Sequence, residues 1–215
     1  MLSDWPLGRT PLLILLAYVL GAIPFGLMLA RMFAKADVRQ AGSGNIGATN
    51  VARVAGPVPG ILTLLFDTAK GAFAVWLAGH CTGHNAGLMM LAGIAALLGH
   101  CYPIWLRFKG GKGVAAALGV FLALSPFAAL SALATFVLVV AIWRYVSLGS
   151  VAAAAAMPLL MYLHWAPPLA PPLSITFGTF FATALVIFKH RANLRRLLEG
   201  SEPRFAFSKS RDTSG

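Results

Sequence analysis

Gly42-Ser43-Gly44-Asn45-Ile46-Gly47-Ala48-Thr49-Asn50-Val51-Ala52-Arg53 lies between two apolar runs, Leu12 to Phe33 and Val58 to Gly79. Each run has about the length a helix needs to cross a bilayer, so the stretch between them is a loop of a membrane protein. Its composition suggests a ligand. Gly42, Gly44 and Gly47 let the backbone turn its N–H groups inward and approach a bound group closely. Ser43, Asn45, Thr49 and Asn50 add neutral hydrogen-bonding groups, Arg53 adds a cationic fork, and the stretch contains no acid. That chemistry suits an anion, and phosphate is the commonest anion bound this way. The plainer alternative is a turn-rich connection without a ligand.

The whole chain agrees with a membrane setting. It has 215 residues, of which 59% are hydrophobic and 11% charged, where a soluble domain carries about 25% charged residues. The formal net charge is +11. No soluble domain is left to carry a groove-reading module, so the excess does not point to nucleic acid. It points to anionic substrates and to the basic bias of cytoplasmic loops. Cys81 and Cys101 fall near opposite ends of one expected span and are read as free thiols.

Five more apolar runs follow the first two: Ala86 to Trp105, Val114 to Leu124, Phe127 to Trp143, Val146 to Leu163 and Leu173 to Phe188. The fold class is therefore an all-α membrane protein of about seven transmembrane helices, N-terminus outside and C-terminus cytoplasmic. Leu12 to Phe33 is too long for a signal-peptide core, and Pro24 and Gly26 should kink it. Val114 to Leu124 is short for a crossing and should start inside the preceding loop or lie tilted. Orientation follows from the basic residues: this arrangement puts 15 of the 17 lysines and arginines on the inner face. Arg9 lies outside and Lys70 within a span. Residues 1–202 read as one polytopic domain and 203–215 as a flexible basic tail. Small residues, as at Gly93 to Ala96 and Ala152 to Ala156, read as close helix packing.

A second basic, glycine-rich loop runs Arg107-Phe108-Lys109-Gly110-Gly111-Lys112-Gly113. It is not a Walker loop, because Leu106 stands where glycine is needed and Gly113 where Ser or Thr would hold magnesium. Gly42, Gly44 and Gly47 do match a dinucleotide fingerprint, but an apolar span precedes them instead of a strand. What survives in both loops is phosphate chemistry. Asp67 and Lys70, about ten residues into the second span, can face each other at i, i+3, as an ion pair ordering the bundle or as part of the site. His100 reads as a satisfied helix-end histidine. His190 and Asn193 share a face of a helical tail, with Leu194, Leu197 and Leu198 against the membrane or bundle. Asp37, Glu199, Glu202 and Asp212 form no ligand cluster, so neither metal nor cofactor is expected.

These stretches together resemble the bacterial acyl-phosphate-dependent glycerol-3-phosphate acyltransferases. The resemblance rests on Gly42 to Val51 with Arg53, on Asp67-Thr68-Ala69-Lys70-Gly71, and on Gly99-His100 and Tyr102-Pro103 leading into Phe108 to Ala115. Arg144 to Leu148 with Ser150, His190-Arg191-Ala192-Asn193 and Gly200-Ser201-Glu202 complete it in order. Ile46, where the family pattern has proline or valine, and a longer tail are departures. The resemblance implies a multi-pass enzyme of the bacterial inner membrane with its active site facing the cytoplasm. Its substrates would be acyl phosphate and glycerol 3-phosphate, its surroundings membrane lipids. It implies catalytic roles for Ser43, Arg53, Lys112, His190 and Asn193. Phosphate binding would fall to Gly42, Gly44, Asn45, Gly47, Thr49, Asn50, Gly110, Gly111 and Ser150, with Asp67 and Lys70 in support. A membrane transporter of a phosphorylated anion is the alternative. It should place its site near the bilayer midplane between internal repeats, and no repeat is visible.

Overall fold

The computed structural model describes residues 6–165 and 171–204, and every long regular element in them is an α-helix. The elements are α1 (Thr10–Gly21), α2 (Phe25–Ala34), α3 (Ala48–Ala55), α4 (Pro57–Thr82), α5 (Ala86–Cys101), α6 (Val114–Leu124), α7 (Pro126–Trp143), α8 (Val146–His164), α9 (Leu173–Lys189) and α10 (Arg191–Leu198). Their ends follow local chemistry. α4 and α7 begin with proline, whose missing N–H costs nothing in a first turn. The Asn85 side chain caps α5 by accepting from the Leu88 N–H at 3.0 Å.

The first apolar run is broken at Ala22-Ile23-Pro24 into α1 and α2, where the sequence placed a kink. A break in hydrocarbon frees carbonyls that need donors from elsewhere. Trp105 Nε1 donates to Ala22 O at 3.1 Å and Lys70 Nζ to Ile23 O at 2.8 Å. Small residues set the tightest helix crossing: a Cβ at Gly71 would overlap the Ala116 backbone and one at Gly119 the Thr68 backbone, so α4 and α6 meet main chain to main chain.

Five segments among the described residues are long and apolar enough to cross a membrane, and the α9–α10 pair, bent by 55°, gives a sixth if taken as one span. The Val114–Leu124 run expected as a further crossing is an apolar helix of 11 residues. At 1.5 Å per residue that is about 16 Å, roughly half a hydrocarbon core. It starts at Gly113, whose φ of 87° turns the basic loop directly into the helix.

α5 is the most enclosed span, 56% buried over its apolar window, and α7 the least, at 17%. α7 and α8 pack on each other as a hairpin that joins the rest through α6 and α9. α6 and α8 both line a gap among these elements. Leu194 and Leu197 of α10 are half-buried, and Leu198 is 90% exposed. The tail expected to be flexible lies, from residue 205, outside the described residues.

Candidate active site

The gap is a cavity of about 950 Å³ with two chemically distinct ends. Its polar end collects both glycine-rich loops and α10: Ser43, Asn45, Thr49, Arg53, Lys112, His190 and Asn193 all line it. Its apolar arm runs between α6, α7, α8 and α9, past Leu118, Phe121, Leu133, Ala153, Met157 and Ala182. Ala153 and Ala154, read from sequence as helix-packing residues, pack against the core and also line this arm. Leu64 on α4 and Leu133 on α7 line the cavity and are 43% and 39% exposed.

The first loop is organised by Asn50. Its side chain is buried, Nδ2 faces the carbonyls of Val38, Ala41 and Asn45 at 2.9, 3.1 and 2.8 Å, and Oδ1 accepts the Ser43 N–H at 2.8 Å. Asn50, expected to bind phosphate, lines the cavity, and its side-chain amide also shapes the loop. Gly42 is required for the same reason, since its φ is 61° and a Cβ there would overlap Asn50 Oδ1. Gly44 (φ 70°) completes the turn through its N–H to Ala41 O and stands outside the cavity lining. Gly47, Ala48 and Thr49 bring the start of α3 to the cavity, so first-turn N–H groups and the positive helix end face it.

The second loop differs from expectation more sharply. Gly110 and Gly111 do not line the cavity. Their N–H groups donate to Cys101 O and His100 O at 3.2 and 3.1 Å, and a Cβ on either would overlap α5 or its end. They are glycines because the loop lies against α5, and of this loop's site residues Lys112 alone reaches the polar end. Lys112 Nζ donates to Asn193 Oδ1 at 2.5 Å. Burial holds its pKa down to about 8, partly offset by Glu202.

His190 sits at the bend between α9 and α10. Its Nδ1 is 2.8 Å from Val186 O, and a carbonyl can only accept, so Nδ1 carries the proton and Nε2 a lone pair. Burial lowers its pKa to about 4, so the ring is neutral near pH 7. Ser150 lines the wall but donates to Val146 O at 2.9 Å. Asp67 and Lys70 form the expected ion pair, 2.7 Å apart and each 3% exposed. Asp67 also reaches the cavity wall.

Glu202, Ser147 and Arg196 line the polar end and were not assigned to it from sequence. Glu202 Oε1 accepts from Ser147 Oγ and Asn193 Nδ2, both at 2.6 Å, and Oε2 from Arg196 Nε at 2.7 Å. Those donors hold its pKa below the usual glutamate value against the effect of burial. The carboxylate thereby fixes Asn193, and through it the Lys112 ammonium. The Gly200-Ser201-Glu202 match was the available signal.

A cationic, N–H-rich pocket opening into an apolar chamber inside a helical membrane protein defines a membrane-embedded enzyme acting on a phosphorylated head and a fatty tail. The glycerol-3-phosphate acyltransferase family model matches residues 11–200. Curated glycerol-3-phosphate acyltransferases of Syntrophotalea carbinolica and Geobacter sulfurreducens are 50% and 51% identical, covering 90% and 88% of this chain and 96% and 94% of their own. The crystal structure of PlsY (YgiH), an integral membrane glycerol 3-phosphate acyltransferase in its glycerol 3-phosphate form, superposes with a TM-score of 0.85 at 39% identity, covering 93% of this chain and 96% of that one. A lysophosphatidic acid form of the same protein gives 0.83 at 38%. This chain belongs to the glycerol-3-phosphate acyltransferase family. Membership sets aside the anion-transporter alternative.

Proposed function

We propose that the protein transfers a fatty acyl group from an acyl phosphate to the 1-hydroxyl of sn-glycerol 3-phosphate, releasing lysophosphatidic acid and phosphate. The observation that carries this reading is the continuity of the cavity: one space joins the Lys112 and Arg53 cations to an apolar arm between α6 and α8. An acyl phosphate has one end for each. The relatives' name and the two bound forms of PlsY support the acceptor and the product.

In the reaction, the glycerol oxygen attacks the acyl carbon, a C–O bond forms, and the bond from that carbon to the phosphate oxygen breaks. The donor is already activated, so the protein's share is positioning and charge stabilisation. Lys112 and Arg53 offset phosphate charge, while Ser43, Thr49 and the α3 N–H groups supply hydrogen bonds. The hydroxyl proton passes to a phosphate oxygen of the donor or to His190 Nε2, which the Val186 contact keeps unprotonated and directed away from the backbone.

The test is purified protein with palmitoyl phosphate and labelled glycerol 3-phosphate, with palmitoyl-CoA and EDTA as parallel arms. Lysophosphatidic acid should form from the phosphate donor alone, at a rate EDTA does not change, because Lys112 and Arg53 supply the positive charge. Turnover from the CoA ester alone overturns the donor, and loss with EDTA restored by one metal overturns the cation assignment.

Orientation belongs to the same reading: inner membrane, seven spans with α6 as the short one, N-terminus outside, and the polar end at the cytoplasm. Single cysteines at 43 or 112, in a background with Cys81 and Cys101 replaced by alanine, should resist an impermeant thiol reagent added outside intact cells. Labelling there reverses the orientation.

A further inference from the structure

We propose that His100 is the positioning residue for Lys112: its buried ring is the floor that sets the height of the Gly110–Gly111–Lys112 turn, and so of the ammonium. The inference rests on Lys112 meeting substrate phosphate, as proposed above. His100 is 4% exposed, at the end of α5. Gly111 lies against its imidazole so closely that a Cβ at 111 would overlap Nε2 and stand 2.8 Å from Cε1 and 3.0 Å from Cδ2. The Gly111 N–H donates to the same residue's carbonyl at 3.1 Å. Ring and main chain of one residue thus fix the residue preceding Lys112.

Behind the ring lies a buried charge, and the ring is not the satisfied helix-end histidine expected, since its Nδ1 has no hydrogen-bond partner among the described residues. Its Nδ1 is 3.6 Å from Asp67 Oδ1. Lys70 stands 2.7 Å from that oxygen and donates to Ile23 O at 2.8 Å. The chain of contacts therefore runs from the break between α1 and α2, through α4 and α5, to the loop. The lysine stem is long and flexible, so an ammonium is placed accurately only if both ends are fixed. Asn193 fixes the head at 2.5 Å, and His100 fixes the base. A shift of about 1 Å at a reacting group can cost as much as a hundredfold in rate.

The test is a double-mutant cycle on turnover of palmitoyl phosphate and glycerol 3-phosphate, with thermal unfolding alongside. His100→Ala and Gly111→Ala should each lower kcat/KM about ten- to a hundredfold, the cost of misplacing a reacting group. Combined with Lys112→Ala, neither should add more than about twofold, because residues acting through one group are not additive. His100→Ala with Gly111→Ala should recover part of the Gly111→Ala loss, since removing the ring makes room for the new methyl. Full additivity with Lys112→Ala, or no recovery in the paired variant, overturns the proposal. Loss of the folded state in both single variants also overturns it, because the contact would then serve the fold alone. The unaltered enzyme in the same assay tests the donor separately; the cycle reads only ratios between variants.

Discussion

Lys112→Ala should leave a folded protein whose kcat/KM is down roughly ten- to a hundredfold. The ammonium makes a charge-assisted contact, worth about 1.5–3 kcal/mol where it stabilises a phosphate, and about 1.4 kcal/mol is tenfold in rate. The loss is greater if the contact tightens in the transition state. Fold should survive, because the loop's packing against α5 is made by Gly110 and Gly111 and not by the lysine stem. pH gives an independent reading. With its pKa held near 8 by burial, Lys112 is charged below that pH and neutral above it. The kcat/KM profile of the free enzyme should therefore fall as pH rises through about 8. Arginine does not lose its proton in this range, so Lys112→Arg should remove the alkaline limb while restoring only part of the rate, its fork not fitting the Asn193 contact. Near-normal kinetics in the alanine variant, or an alkaline limb retained with arginine, would remove Lys112 from the site.

The largest effect on stability is expected at Lys70. Lys70→Met leaves the Asp67 carboxylate buried without its partner and takes the donor from Ile23 O. Breaking one side of a buried pair costs about 3–5 kcal/mol, which in a chain of this size lowers Tm by about 6–20 °C. Asp67→Asn with Lys70→Met should recover most of that, because the uncompensated charge is then gone. Unfolding curves in one detergent compare the three proteins. Equal loss in the single and double variants would mean that the Ile23 contact, and not the ion pair, carries the stability.

The spans were readable because twenty apolar residues in a row have few other uses, and Asp67–Lys70 was readable because i, i+3 spacing fixes a neighbour without tertiary knowledge. The polar end was readable in its cations and small hydroxyls. Three features were not. Glu202 reaches Ser147 across 55 residues, and only the fold of α10 back onto α8 brings them together. Gly110 and Gly111 have the composition of a phosphate loop, yet their small size is spent on contact with His100, a choice sequence cannot express. Asn50 carries the groups of a ligand-binding side chain, and whether an amide faces outward or holds its own loop depends on where Val38 and Ala41 fall.

The two exposed leucines that line the chamber, Leu64 and Leu133, have a bearing on turnover. They lie on α4 and α7, two of the helices long and apolar enough to cross a membrane. A product tail of about fifteen methylenes that had to leave through water would give up roughly 12 kcal/mol, at about 0.8 kcal/mol per buried CH₂. Such a penalty would add to whatever barrier release already has, slowing it by roughly eight orders of magnitude at about 1.4 kcal/mol per tenfold. An opening beside these helices would let the tail pass from one hydrocarbon to another, leaving only the phosphate head to meet water at the polar end. Such a route would deliver a lipid without dissolving it.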